Sequence, residues 1–195
     1  MSWKLATAPT VEPVSADELK SHLRIDGTDE DAYLAALIEA AREHVEEITW
    51  RALISQSWDF YLSEFKNPIK MPRPRLISVT HIKYYDTAGV QQTLADTVYE
   101  LDTASEPGFV RLKYGQSWPT CRGHEDDIVI QFKAGYGTTA ASVPRPIRQA
   151  ILLLAGHWFE NREPVALGTT STLIPMTVDS LLAPYRCADL LAEFP

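Results

Sequence analysis

Residues 147–161 form an almost uninterrupted apolar segment near the C-terminal end of the chain. A helix that is apolar on all sides has to be buried, because none of its faces suits water. Pro146 precedes the segment at a position where proline fits the first helical turn, and Pro164 follows its end. We therefore expect a central helix that other elements must cover, so the rest of the chain has to supply a packed core.

Two helices are predicted near the N-terminus. Ser15 and Glu18 have the spacing of a capping box, which predicts a short helix that ends near Ile25. Thr28 precedes a longer helix with acidic residues in its first turn, where the helix dipole favours them. Its apolar stripe at helical spacing consists of Leu34, Leu37, Ile38, Ala41, Val45 and Ile48. Its opposite, charged face is predicted to hold Glu39, Arg42, Glu43, Glu46 and Glu47.

Residues 55–137 change from helical spacing to the alternation that is typical of half-buried strands. Trp58, Phe60 and Leu62 alternate with polar residues, and the same pattern returns between residues 128 and 132. Turn signals rich in glycine and proline separate the apolar runs. The pattern predicts an antiparallel unit of about five or six strands.

The order of predicted elements is helices, sheet and again helices, which indicates an α+β fold. We expect residues 1–54 and 138–183 to form one helical bundle, in which the N-terminal helix pair packs on the buried C-terminal helix. The β unit of residues 55–137 would then be an insertion into that bundle. Residues 184–195 are predicted to form a C-terminal tail.

Charge and composition exclude several classes of protein. The chain has 18 basic and 26 acidic residues, a net charge of −8, and most of this excess lies in residues 1–54. Sequence-independent DNA binding is disfavoured, because phosphate binding needs clustered lysine and arginine. Two cysteines exclude a disulfide scaffold and a four-cysteine zinc site. Without a signal-peptide pattern or an apolar stretch of membrane-spanning length, we expect a soluble protein with no membrane partner.

The residues show no catalytic constellation. The five histidines lack metal-ligand spacing, and Gly135-Tyr-Gly137 lacks the ending of a phosphate-binding loop. His124 with Glu125 to Asp127 leaves a metal-dependent protein open as an alternative, although a solvated hairpin tip explains these residues better. We predict no catalytic residue, no metal and no cofactor, and therefore not an enzyme.

One basic cluster, interleaved with prolines, is a candidate contact segment. It favours docking onto an acidic protein surface, and it also leaves contact with duplex DNA open. The acidic helix face of another copy of the chain is one such surface. The basic cluster consists of Lys66, Lys70, Arg73 and Arg75, and the acidic candidates are Glu39, Glu43, Glu46 and Glu47.

Motifs spread along the chain resemble the head–tail connector (adaptor) proteins of tailed bacteriophages and of related gene transfer agents. They include Met71-Pro-Arg-Pro-Arg75 and Val143-Pro-Arg-Pro146, and their order and spacing carry the resemblance together. The match covers about residues 13–187. The matching stretches are residues 15–26, 29–34, 40–46, 51–54, 71–80, 82–86, 134–137, 143–154, 157–163 and 181–186.

The resemblance implies a structural protein of the virion neck that is assembled in the host bacterial cytoplasm. Such proteins form a ring, commonly of twelve copies, that docks beneath the portal and extends the DNA channel. Duplex DNA passes through the ring without specific binding, and a stopper or tail-completion protein attaches below. A tail-completion or stopper protein of the same neck is the alternative that remains open.

The resemblance also implies that the C-terminal segment reaches the portal. Residues 184–195 would supply that segment, and its last apolar residues have no evident core to join. The candidate portal-docking residues are Tyr185, Arg186, Leu190, Leu191 and Phe194. If the same charges build the ring, the acidic helix face lies near the channel or between subunits, because a ring needs two different complementary faces.

Overall fold

The structure, a computed structural model, describes residues 1–161 and 176–187. The described chain divides into two compact units. The β unit contains Met1–Pro9 and Trp50–Tyr136 together with Cys187, and the helical unit contains Thr10–Thr49 and the described part of Gly137–Arg186. The α+β class is confirmed. None of the described helices combines the length and the apolar character needed to cross a membrane.

The helical unit has four described helices, of which α3 contacts each of the other three. The buried side of α3 includes Ile147, Ile151 and Leu154, whereas Trp158 and Phe159 are only half-buried. The apolar segment is thus covered mainly on one side in the described chain. The helices are α1 (Ala16–Leu23), α2 (Asp31–Thr49), α3 (Arg145–Glu160) and α4 (Met176–Leu182), with single 3₁₀ turns at Ala140–Ser142 and Ala183–Tyr185.

The predicted capping box at the start of α1 is confirmed. The Glu18 amide donates to Ser15 Oγ at 3.1 Å, and the Ser15 amide donates to Glu18 Oε2 at 2.9 Å. The helix ends slightly earlier than predicted, with Arg24 in the left-handed conformation at φ 58°. Gly156 of α3 faces α1, and a Cβ added to it would be in ordinary van der Waals contact with Leu23 Cδ2 at 3.4 Å.

The described part of the β unit contains eight strands in two antiparallel sheets. Five strands form one sheet in the order β1-β2-β8-β4-β5, and three form the other in the order β3-β7-β6. In the larger sheet Trp58 lies opposite Phe132, and Phe60 lies opposite Ile130. The strands are β1 (Ser2–Thr7), β2 (Gln56–Leu62), β3 (Ile69–Lys70), β4 (Leu76–Tyr85), β5 (Gln91–Thr93), β6 (Tyr99–Asp102), β7 (Phe109–Leu112) and β8 (Ile128–Ala134).

Strand β1 was not predicted from the sequence, and the central region has more strands than expected. Strand prediction depends on one buried face, but only Trp3 of β1 is partly buried. Strands β3 and β5 are two and three residues long, too short to show alternation. The larger sheet therefore includes a strand from residues 1–54, which the sequence analysis assigned to the helical bundle.

Candidate assembly surfaces

The exposed face of α2 carries three acidic residues, Glu39, Glu43 and Glu47. The side chains of Glu39 and Glu43 are both 64% exposed. This acidic face of α2, as we call these three residues, keeps most of the negative surface that the sequence predicted. It can attract a basic protein surface, and it repels DNA phosphates.

Arg42 and Glu46 do not belong to that face, which corrects the prediction. Both are buried, and Arg42 Nη1 donates to Glu46 Oε2 at 3.0 Å. Arg42 Nε donates to Glu12 Oε2 at 2.8 Å. Glu12 lies in the segment before α1, and this segment covers one side of α2. The spacing of residues within α2 cannot predict such a contact. We call Arg42, Glu12 and Glu46 the Arg42 hub.

Electrostatics within the hub follow from burial and pairing. Burial alone would lower the pKa of Arg42, but the charges of Glu46 and Glu12 raise it above its ordinary value. Burial also raises the pKa of Glu12, and the opposing attraction of Arg42 is not enough to reverse this. Arg42 therefore stays charged, and its attraction offsets the burial of the Glu12 carboxylate only in part.

The predicted basic cluster does not form one surface. Lys66 and Arg75 are about half exposed, and each contacts an acid: Lys66 Nζ lies 3.6 Å from Glu64 Oε1, and Arg75 Nε lies 2.8 Å from Glu106 Oε1. Lys70 is partly buried in β3. The members of the predicted cluster that reach the surface at least in part are Lys66, Lys70 and Arg75.

Arg73 is buried, which corrects its assignment to the surface. Its guanidinium carbon lies 5.8 Å from the ring centre of Trp50 and 5.1 Å from that of Trp58. Its φ of 56° places it in a left-handed turn. A guanidinium stacks well on aromatic faces, so the two indole rings favour a buried position for this charge.

The acidic residues 125–127 were predicted to form a solvated hairpin tip, but only Glu125 and Asp126 are exposed. Asp127 is fully buried and accepts from the amides of Gly123 and His124 at 2.9 and 2.8 Å, and from Arg122 Nε at 2.6 Å. Burial opposes its ionisation, but the bonds from His124 and Arg122 hold its pKa below the ordinary value. Asp127 thus organises its own loop. Within residues 1–161 and 176–187, no cluster of His, Cys, Asp and Glu could hold a metal ion.

Two of the five predicted portal-docking residues lie in the described chain. Arg186 is exposed and donates from Nη2 to Asp179 Oδ1 at 2.9 Å, and Tyr185 is half-buried. Leu190, Leu191 and Phe194 lie outside the described residues. Cys187, where the described chain ends, packs into the core of the β unit.

Two further acids organise charged groups and were missed by the sequence analysis. Glu12 binds Arg42, and Glu106 joins Arg51 at 2.6 Å to Arg75 at 2.8 Å. In each case the acid and its base lie at least 30 residues apart in the chain, so no spacing pattern could reveal the pair.

Comparison with known proteins supports the family that the motifs suggested. A family model described as phage gp6-like head-tail connector protein matches residues 14–100, which include both N-terminal helices and strands β2 to β5. Chains of three solved particles match 95% of this chain and 95% of their own length, so the likeness extends to both units. Over residues 14–100 the chain is thus similar to the phage gp6-like head-tail connector proteins.

The matched chains resemble this one in fold over nearly its whole length. One match is to the neck of an empty gene transfer agent (GTA) particle computed with C6 symmetry, with 26% identity and a TM-score of 0.79. Another is to the neck of a native GTA particle computed with C12 symmetry, with 27% identity and a TM-score of 0.74. A third, to the virion of a native GTA particle, has 25% identity and a TM-score of 0.78. No curated protein matches the chain.

Proposed function

We propose that the chain is a structural connector (adaptor) in the neck of a phage or GTA particle, where it docks beneath the portal as a ring of twelve copies. The observation that carries this proposal is the match over 95% of both chains to proteins of GTA necks computed with sixfold and twelvefold symmetry. The ring is assembled in the host cytoplasm and becomes part of the virion. Its role is to hold other proteins and extend the DNA channel, without catalysis.

Ring formation needs a heterologous interface, in which one face of a subunit meets a different face of the next. The acidic face of α2 and the bases Lys66, Arg75 and the partly buried Lys70 are two groups of opposite charge. We place the acidic face between neighbouring copies or at the channel wall. In the first position it attracts the bases of the next copy, and in the second it keeps DNA from adhering.

Passage of duplex DNA suits the overall charge of the chain. A net charge of −8 gives a ring no broad basic surface that would grip phosphates. DNA can then move through the channel without specific binding. This argues against a nucleic-acid-binding function for the few exposed bases, two of which already contact carboxylates.

Attachment to the rest of the particle would use both ends of the ring. The C-terminal segment with Tyr185, Arg186, Leu190, Leu191 and Phe194 docks onto the portal, and a stopper or tail-completion protein attaches on the other side. Apolar residues at the end of a chain can bind a neighbour without disturbing the fold of the unit that carries them.

Light scattering on the purified chain, alone and with its cognate portal, tests the connector function. We expect a ring-sized species in at least one of the two samples. Removal of residues 188–195 should abolish portal binding and leave the circular dichroism spectrum unchanged, because Cys187 and the core around it are retained. A chain that stays monomeric and ignores the portal contradicts the proposal and indicates a stopper or tail-completion protein instead.

A further inference from the structure

Strand β1 is an open edge of the larger sheet. Among the described residues it pairs with one strand only, β2, and five of its six residues are exposed. An edge strand has a row of backbone amides and carbonyls on its outer side, to which another extended chain can add. The edge belongs to the β unit itself and does not depend on the helical unit.

An apolar pocket of about 180 Å³ lies next to this edge. Its apolar lining comes from Met1, Phe60, Leu62, Pro68 and Ile69, of which Phe60, Leu62 and Ile69 are almost fully buried. Met1, which directly precedes β1, lines the pocket and is 63% exposed, so the pocket lies beside the start of this strand. Such a pocket takes one apolar side chain from outside the unit.

The pocket also touches the second sheet. Ile69 and Lys70, which line it, form β3, and β3 is the outer strand of the three-stranded sheet. The pocket therefore lies between the edge strands of two sheets, and an extended segment placed there meets a strand edge on either side. We call the edge of β1 together with this pocket the β1 groove.

Charge around the groove favours an acidic occupant. The polar lining of the pocket consists of Lys66, Lys70 and Glu64, so bases outnumber acids. Lys4 is exposed on β1, on the face opposite Trp3. A lysine on an edge strand discourages pairing with a like edge of a second copy, whereas it suits a strand that carries carboxylates.

We propose that the β1 groove binds an extended, acidic segment of a partner protein, which adds as a strand to β1 and places one apolar side chain in the pocket. Main-chain hydrogen bonds would supply affinity, and the pocket and the lysines would supply specificity. If the connector function holds, the partner is a neighbouring protein of the neck. The groove itself is a property of the β unit and can be tested on the chain alone.

The test uses two fluorescein-labelled heptapeptides, acetyl-Ser-Glu-Glu-Phe-Glu-Glu-Ser-amide, which has glutamates on both faces of the strand, and the same peptide with lysine in place of each glutamate. Fluorescence anisotropy measures their binding to the full chain, and hydrogen exchange with mass spectrometry locates it. We expect the acidic peptide to bind at least tenfold more tightly and to slow exchange in residues 2–7. The double variant Lys66→Glu, Lys70→Glu should weaken that binding at least tenfold.

The matched control is Lys133→Glu, which reverses an exposed lysine of β8 on the other face of the same sheet from Phe132. This variant should bind the acidic peptide as the unchanged chain does. Equal binding of both peptides, no binding up to about 1 mM, or protection of residues 2–7 by raising the concentration of the chain alone would each overturn the proposal. The proposed ring contact uses the same two lysines, so light scattering on the double variant reports ring formation separately from peptide binding. Loss of the ring with peptide binding unchanged would overturn the groove and leave the connector function standing.

Discussion

Arg42 in the helical unit and Asp127 in the β unit are both almost completely buried, yet different partners neutralise them. Arg42 is 3% exposed and is surrounded by carboxylates, with Glu12 and Glu46 at hydrogen-bonding distance. Asp127 is fully buried and accepts two backbone amides besides Arg122. A second buried charge of the β unit, Arg73, lies against two indole rings.

The difference follows from the backbone of each unit. Backbone amides and carbonyls inside a helix are already bonded to each other, so a buried charge on α2 has to find side chains of opposite charge. In the β unit, loop amides can bind a buried carboxylate, as they do at Asp127. Tryptophan rings can pack against a buried guanidinium, as they do at Arg73. The helical unit should therefore be sensitive to the loss of one charge. The β unit also pairs a buried arginine, Arg51, with Glu106, but it neutralises Asp127 in part with backbone amides and places Arg73 against indole rings.

Replacing the arginine of the hub should have the largest effect. Arg42→Met leaves Glu46 and Glu12 without their buried countercharge, and we expect the free energy of unfolding to fall by about 3–5 kcal/mol. Chemical denaturation monitored by circular dichroism measures this. The double variant Arg42→Met, Glu46→Leu should recover part of the loss, because it replaces the ion pair with apolar groups.

The control for the hub is Glu43→Gln, which changes an exposed carboxylate 3.5 Å from Arg42 Nη2. It should shift stability by no more than about 0.5 kcal/mol. A loss in Arg42→Met as small as that of this control would show that the hub does not stabilise the helical unit.

Asp127→Asn should have the next largest effect. The variant weakens three hydrogen bonds to a charged acceptor, so we expect a loss of about 2 kcal/mol at neutral pH. The pKa of Asp127 is lowered in the folded chain, so its stabilisation is present above the unfolded pKa and is lost as pH falls through the folded one. The difference between the chain and the variant should therefore shrink below about pH 4.

Asp126→Asn provides the control for this loop, because Asp126 is an exposed neighbour whose φ of 59° asparagine also adopts. Its stability should match the unchanged chain at each pH. If the Asp127 difference stayed constant down to pH 2, the carboxylate would not be the group that holds the loop.

How far the sequence predicted the fold depended on whether the deciding contact is local. The capping box of Ser15 and Glu18 spans three residues and was predicted correctly, as was the alternation of β2 and β8. Strand β1 could not be predicted, because its partner lies more than 50 residues away and its own residues are exposed.

The candidate surfaces show the same limit residue by residue. Helical spacing correctly placed Glu39, Glu43 and Glu47 on an exposed face, but Glu46 is buried because Glu12 and Arg42 meet beside it. Arg73 belongs to a basic segment of the kind that is typical of surfaces, but its side chain is buried. Charge alone does not tell a solvated side chain from a buried, paired one when the partner is distant in sequence.

Arg73→Met should lower the free energy of unfolding by less than Arg42→Met or Asp127→Asn. The variant keeps the apolar stem and removes the cation between Trp50 and Trp58, so we expect a loss of about 1–2 kcal/mol. Tryptophan fluorescence should shift as well, because the guanidinium lies 5.1 Å from the ring centre of Trp58. The exposed Lys66→Met serves as the control and should change neither stability nor the spectrum. An unchanged spectrum in Arg73→Met would place the guanidinium away from the indoles.

Neutralising the acidic face of α2 should have the smallest effect on stability. Glu39→Gln, Glu43→Gln and Glu47→Gln should each lie within about 0.5 kcal/mol of the unchanged chain, because these side chains are exposed. Their combination should nevertheless weaken ring formation in light scattering, if the face meets the bases of the next copy. Stability and assembly would thus separate at this face, whereas they fall together in Arg42→Met. A triple variant that lost more than about 2 kcal/mol would show that the exposed acids belong to the Arg42 hub, and the contrast between buried and exposed charge on α2 would no longer hold.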